Sequence, residues 1–256
     1  MTKSIEKVNR NGDQRQGDTA PIKNVAACLG LVRTLQDRQP HQNNLGVFAG
    51  FSGYGKSVAA LYSQNKTGAA YVEVSDTWTR KKLMTAILTE LGQYQPRGTL
   101  SDLEDEIIGL LARDPRRPLL IDEADKLVDK NMIELVRMIA KKSQAPVLLI
   151  GEEHFPNKLE RAGDRFRDLV LVTGYAQKCD LEDTRTLAQS FYPSLTMSDD
   201  LLDQARQKAD GRVRRIGNSL HAIGNFAALR GLTEIDLGTF EGRFSEGKLP
   251  TRQEAA

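Results

Sequence analysis

With 256 residues and 28.4 kDa, the chain is long enough to bury a full core in one nucleotide-sized domain with a smaller appendage. Hydrophobic residues make up 39% and charged residues 27%, and no apolar run approaches the roughly 20 residues of a membrane span, which excludes a spanning helix and predicts a cytosolic globular protein. The net charge of +2 and pI near 8.5 neither demand nor repel a polyanion, so nucleic acid has to be argued from local clusters.

The opening MTKSIEKVNRNGDQRQGDTA is polar throughout, with no apolar stretch behind its charges, and reads as a disordered tail over 1–20 rather than a secretory signal. From Pro21 to Asp37, the residues Val25, Cys28, Leu29, Leu31, Val32 and Leu35 fall on one stripe and predict a helix, with Pro21 suited to its first turn. Cys28 and Cys179 are far apart and lack a His or Cys at metal-ligand spacing; they read as small buried hydrophobes, not a disulfide or zinc site. The apolar run Leu45–Ala49 enters a glycine-rich loop, and VAALYSQN after Ser57 reads as helical. AAYVEV (69–74) predicts a strand and TRKKLMTAILTELG (79–92) an amphipathic helix, followed by a helix after Ser101 with Ser101 and Glu104 as its capping box. PLLID (118–122), PVLLI (146–150) and DLVLVT (168–173) read as buried strands, with the helix of MIELVRMIAKK between the first two. Alternating strands and helices predict an α/β fold with a parallel sheet flanked by helices over 21–175. After Thr173 the strand signal stops, leaving a small all-helical lid over 176–243 and a flexible tail over 244–256.

The run GFSGYGKSV places Gly50, Phe51, Ser52, Gly53, Tyr54, Gly55, Lys56, Ser57 and Val58 between that strand and helix. It matches the P-loop spacing G-x-x-x-x-G-K-[ST]. Glycines let successive backbone N–H groups turn inward on phosphate, Lys56 reaches the β and γ phosphates of ATP, and the Ser57 hydroxyl ligates Mg2+. Downstream, LLIDE brings Asp122 and Glu123 to the carboxyl end of a buried strand, where open parallel sheets bind ligands. Asp122 is the expected metal partner, and Glu123 the group that orients or deprotonates the attacking water. An acidic turn alone is weak, but its place after an apolar strand and a P-loop predicts an ATPase.

GYGKS, IDEADKL (121–127), PIKNVAACLGLVRTL and YQPRGTLSDLEDEIIGLL (94–111) together resemble the AAA+ ATPases, and within them the target-capture ATPases of the Mu B, TnsC and TniB type. That resemblance implies an AAA+ P-loop NTPase fold, a helical ATP-dependent oligomer on double-stranded DNA without sequence preference, a transposase partner and the cytoplasm of a bacterial host cell. It also assigns roles to arginines. GRVRRIGNSL (211–220) resembles the second sensor, placing Arg214 near the γ phosphate with Arg215 as the alternative. DRFRDLV (164–170) resembles the segment that carries the trans arginine finger, with Arg165 favoured and Arg161 and Arg167 as rivals. One departure stands out: the first-sensor position holds Gly151 and Glu152, which implies slow hydrolysis or a polar role moved to Glu153 or His154. Ile22 and Val25 are a candidate adenine wall.

For DNA, SDTWTRKK gathers Trp78, Arg80, Lys81 and Lys82, and RGT adds Arg97 and Thr99. Cations and a hydroxyl can hold phosphates without reading bases. On sequence grounds alone a solvated helix face, with Trp78 as a packing residue, is the better account, and the family resemblance is what turns the reading toward DNA. Lys3, Lys7, Arg10 and Arg15 of the tail are further candidates, and without a helix-turn-helix module site-specific recognition is not expected. Two other functions fit the same residues: a helicase-loader or initiator-like ATPase, and a nucleotide-switched adaptor with little hydrolysis.

Overall fold

The computed structural model describes residues 19–163, 166 and 168–247. The chain begins with α1 (Lys23–Gln36), β1 (Leu45–Ala49), α2 (Lys56–Thr67), β2 (Ala70–Glu73), α3 (Arg80–Glu90) and α4 (Leu100–Arg113). It continues through β3 (Leu119–Asp122), α5 (Asp125–Asp129), α6 (Ile133–Ser143), β4 (Val147–Gly151), α7 (Phe155–Arg161) and β5 (Val170–Tyr175). The five strands form one parallel sheet in the order β2-β3-β4-β1-β5. This is the AAA+ P-loop NTPase fold, with helices on both faces.

The inner strands are buried throughout, and their side chains alternate between two cores because successive residues leave a strand on opposite faces. Leu119 and Ile121 of β3 and Val147 and Leu149 of β4 join the core beneath α3, α4 and α6. Leu120, Leu148 and Ile150 point the other way, into a core shared with α1, α2 and the carboxyl-terminal helices. Each fully buried leucine contributes on the order of 1.5–3 kcal/mol. Gly46 sits where a Cβ would come within 2.9 Å of the Leu35 side chain, so α1 packs directly on the β1 backbone.

The carboxyl-terminal region holds α8 (Leu181–Phe191), α9 (Asp199–Lys208) and α10 (Val213–Arg230). It also contains a short parallel pair, β6 (Thr196–Met197) with β7 (Glu234–Ile235), which sequence periodicity did not anticipate. Asp180 and Asp183 form a capping box at the start of α8. Asp183 Oδ1 also accepts the Lys23 N–H at 2.9 Å, satisfying a first-turn donor of α1 that no local cap supplies. Residues 244–247, expected as the start of a loose tail, pack on the lid. The rings of Phe240 and Phe244 lie 5.2 Å apart, and the Ser245 N–H donates to Ser219 Oγ at 2.9 Å.

The predicted cap of α4 is corrected. Thr99, not Ser101, is the N-cap, and its box partner is Asp102. Ser101 falls inside the first turn, and Glu104 pairs with Lys142 at 3.2 Å instead. Among the described residues, no helix is long and apolar enough to cross a membrane.

Candidate active site

The loop between β1 and α2 is shaped by its glycines. Gly53 and Gly55 adopt φ of 86° and 85°, a left-handed backbone that a Cβ disfavours. Gly50 has another reason: a Cβ there would lie 2.7 Å from that of Ala176, whose N–H pairs with the Ala49 carbonyl at 2.7 Å. Lys56 starts α2 and is 9% exposed. Its ammonium donates to the carbonyls of Gly50 and Phe51 and lies 3.9 Å from Glu152 Oε1.

A cavity of about 210 Å³ is lined by Ser52, Gly53, Gly55, Lys56, Ser57, Val58, Glu123, Glu152, Val213 and Arg214. The structure therefore brings the loop, Glu123 just after β3, the residue after β4 and the start of α10 to one place, and Asp122 is not among the lining residues. Arg214 faces this cavity, whereas Arg215 packs against Gly247. Arg161 lines a different cavity, of about 770 Å³, with Lys158 and Asn131. Arg165 and Arg167, like Lys3, Lys7, Arg10 and Arg15, lie outside the described residues.

Asp122 ends β3 at 2% exposure. Its Oδ1 accepts the Glu123 N–H at 2.8 Å and its Oδ2 the Tyr71 hydroxyl at 3.0 Å. Both donors are neutral groups, a backbone N–H and a phenol. With the Ser57 hydroxyl the Asp122 carboxylate offers the hard oxygen donors that suit Mg2+. Glu123 turns into the left-handed region at φ 56°, and its carboxylate pairs with Lys126 at 3.3 Å. Lys126 also donates to the Val74 carbonyl at 3.2 Å.

Four contributors were not singled out from sequence. Asn24, 3% exposed on the otherwise apolar stripe of α1, donates to the carbonyls of Tyr54 at 2.8 Å and Gln177 at 2.7 Å and accepts the Gln177 N–H at 2.9 Å. It ties the P-loop to the chain leaving β5; a polar residue within an apolar stripe was the available signal. Arg212 donates to the Ser52 carbonyl and stands 5.9 Å from the Tyr54 ring centre. Asp125, third acid of the IDEAD run, accepts the Glu152 N–H at 2.7 Å and so fixes the turn after β4. Tyr71 is the fourth. Ile22 and Val25, the candidate adenine wall, are buried in the core shared by α1 and the lid.

The basic cluster is partly engaged within the chain. Arg80 donates to the Asn131 carbonyl at 3.0 Å, Lys81 to that of Gly98 at 3.2 Å, and the Lys82 ammonium lies 5.8 Å from the Trp78 ring centre. Thr99 Oγ1 donates to Asp102 Oδ2 at 2.8 Å and accepts the Asp102 N–H at 3.3 Å, so the hydroxyl serves as a helix cap. Arg97 is exposed, and its guanidinium lies 3.5 Å from the Gln95 side-chain oxygen. Trp78 packs against the core.

Residues 38–159 match the family model of an AAA domain, a stretch from before β1 to within α7. Among curated proteins, none matches the chain. The Aeropyrum pernix ORC2 protein (ADPNP-ADP complexes) superposes with a TM-score of 0.68 at 11% identity, over 82% of this chain and 64% of that one. The Aeropyrum pernix ORC1 protein in complex with DNA gives 0.60 at 18% identity, over 83% and 61%. The Thermotoga maritima RuvB Holliday junction branch migration motor gives 0.55 at 15%, over 84% and 66%. This chain thus spans somewhat less than two thirds of those chains' length. The likenesses carry the fold; the transposition-ATPase resemblance draws no support from them.

Proposed function

We propose that this chain, built on the AAA+ fold, is a Mg2+-dependent ATPase that assembles on double-stranded DNA without reading its sequence and there recruits or activates a transposase. The carrying observation is the convergence of Lys56, Ser57, Glu123 and Arg214 on one cavity. In this reading Lys56 leaves the loop carbonyls for the β and γ phosphates, and Ser57 and Asp122 hold Mg2+, which neutralises phosphate charge when bound. Glu123, released from Lys126, orients or deprotonates the attacking water. Arg214 reaches the γ phosphate from the lid. An arginine of the 161–167 segment, Arg165 or its rivals Arg161 and Arg167, serves a neighbouring subunit's nucleotide, so that turnover depends on assembly.

Duplex DNA is the partner suggested by Arg80, Lys81, Lys82 and Arg97, clustered around the starts of α3 and α4 with Trp78 and Thr99. The test is electron microscopy with duplex DNA and a slowly hydrolysed ATP analogue. Long DNA-bound oligomers with nucleotide, absent in Lys56→Ala, support the reading. Equal DNA binding and particle size with and without nucleotide reject it.

A second reading, an initiator-like or helicase-loading ATPase, is favoured by the likeness to the ORC proteins across both sheet and lid. It shares the ATPase core and differs in partner, and capture of a replicative helicase rather than a transposase would select it. A nucleotide-switched adaptor remains a third outcome, recognised by absent turnover and absent DNA binding together.

A further inference from the structure

Tyr71 lies on β2, in register with Leu120 of β3, and its hydroxyl reaches across to Asp122. Among the described residues, no lysine or arginine forms an ion pair with that carboxylate. An acid buried to 2% exposure and held only by neutral donors is incompletely compensated, and its remaining lone pairs suit a hard cation. A carboxylate free to rotate would have to be ordered as the ion binds. With both oxygens anchored, one by a backbone N–H and one by a phenol, that ordering is already done.

We propose that Tyr71 is a positioning residue for magnesium: its hydroxyl holds the Asp122 carboxylate in the orientation that receives the ion. The proposal rests on the nucleotide-site reading above, since it needs Asp122 to face a metal. The competing view is that Tyr71 is only a sheet residue whose hydroxyl found a convenient acceptor. The two differ in what a phenylalanine would change: the metal dependence in one, packing alone in the other.

Binding of a fluorescent ATP analogue to the full chain, titrated with Mg2+ and repeated in EDTA, separates them. Tyr71→Phe is expected to raise the Mg2+ half-point about 10-fold, leaving analogue affinity in EDTA and the melting temperature close to wild type. An unchanged half-point overturns the proposal, whether or not the melting temperature falls. Wild-type protein that binds the analogue no better with Mg2+ than without overturns the nucleotide-site reading itself. A second variant, with 3-fluorotyrosine at position 71 alone, keeps ring and hydroxyl. Its 19F resonance should shift when Mg2+ is added to the nucleotide-loaded protein and stay put when Mg2+ is added without nucleotide; no shift in the loaded protein overturns the assignment.

Discussion

Glu152 Oε1 stands 3.9 Å from Lys56 Nζ, so the P-loop lysine is shared between the loop's own carbonyls and a carboxylate from the end of β4. A phosphate arriving at Lys56 meets that carboxylate as a competitor. The pair is half-exposed on the Glu152 side and water screens it, which bounds the effect. Glu152→Gln should tighten ATP binding about 2- to 5-fold, the range of an exposed pair. Titration with a fluorescent analogue checks this; unchanged or weaker binding sinks it.

Lys126 holds Glu123 at 3.3 Å while anchored to the Val74 carbonyl. If Glu123 activates the water, Glu123→Gln should cut turnover about 100-fold, a typical general-base contribution, and still bind ATP. Lys126→Met should raise turnover measured without DNA, because the carboxylate is freed. Steady-state phosphate release reads both, and a Glu123→Gln enzyme with ordinary turnover refutes the role.

Gly151, the last residue of β4, sits where nothing larger fits. A Cβ there would lie 2.5 Å from Asp125 Oδ2 and 2.6 Å from the ring of fully buried Phe155. Asp125 cannot yield freely, being bonded to the Glu152 N–H. Gly151→Ala should cost about 1–3 kcal/mol, as overpacking does. Denaturant unfolding tests it, and a loss below a few tenths of a kcal/mol would contradict the packing.

Asn24 makes a buried hydrogen bond to the Tyr54 carbonyl and part-buried ones to the exposed Gln177. Asn24→Ala strands the buried Tyr54 carbonyl of the P-loop, for a loss of about 1–3 kcal/mol. Nucleotide affinity should fall with it, because the loop is no longer tied down. A destabilised variant with unaltered affinity would show that the clamp serves only the fold.

Asp180 is held below the usual carboxylate range, first by the Asp183 backbone N–H and then by Lys23. Its contribution is fully present above that range and is lost as pH falls through the depressed value, where folded and unfolded chains both become protonated. The groups are about half-exposed, so the effect is small. Asp180→Asn should lower the melting temperature at pH 7 and leave it near wild type at the acid end; an equal drop at both ends contradicts the linkage.

The glycine-rich loop and the acidic strand end were legible because each is a pattern within one short run, Gly50–Ser57 and Leu119–Glu123, set at the end of an apolar strand. The strands were legible as apolar runs because both faces of the sheet are covered. What escaped was non-local or too short to show a period. Arg212 meets Ser52 across 160 positions of chain, and nothing around either residue announces the other. The β6–β7 pair has two residues per strand, fewer than one alternation. The cap of α4 was misplaced by two positions because Ser101 and Thr99 are both good caps, and which one serves depends on where the backbone turns from extended to helical.

The Asn24 clamp also sets an order of events during synthesis. Its Gln177 partner follows 153 positions later, and Arg212 comes later still. A nascent chain that has just completed β5 carries every strand of the main sheet but neither of these lid-side restraints on the phosphate loop. A core cut back to residue 175 therefore lacks both restraints on the loop, and its nucleotide affinity is expected to fall below that of the full chain.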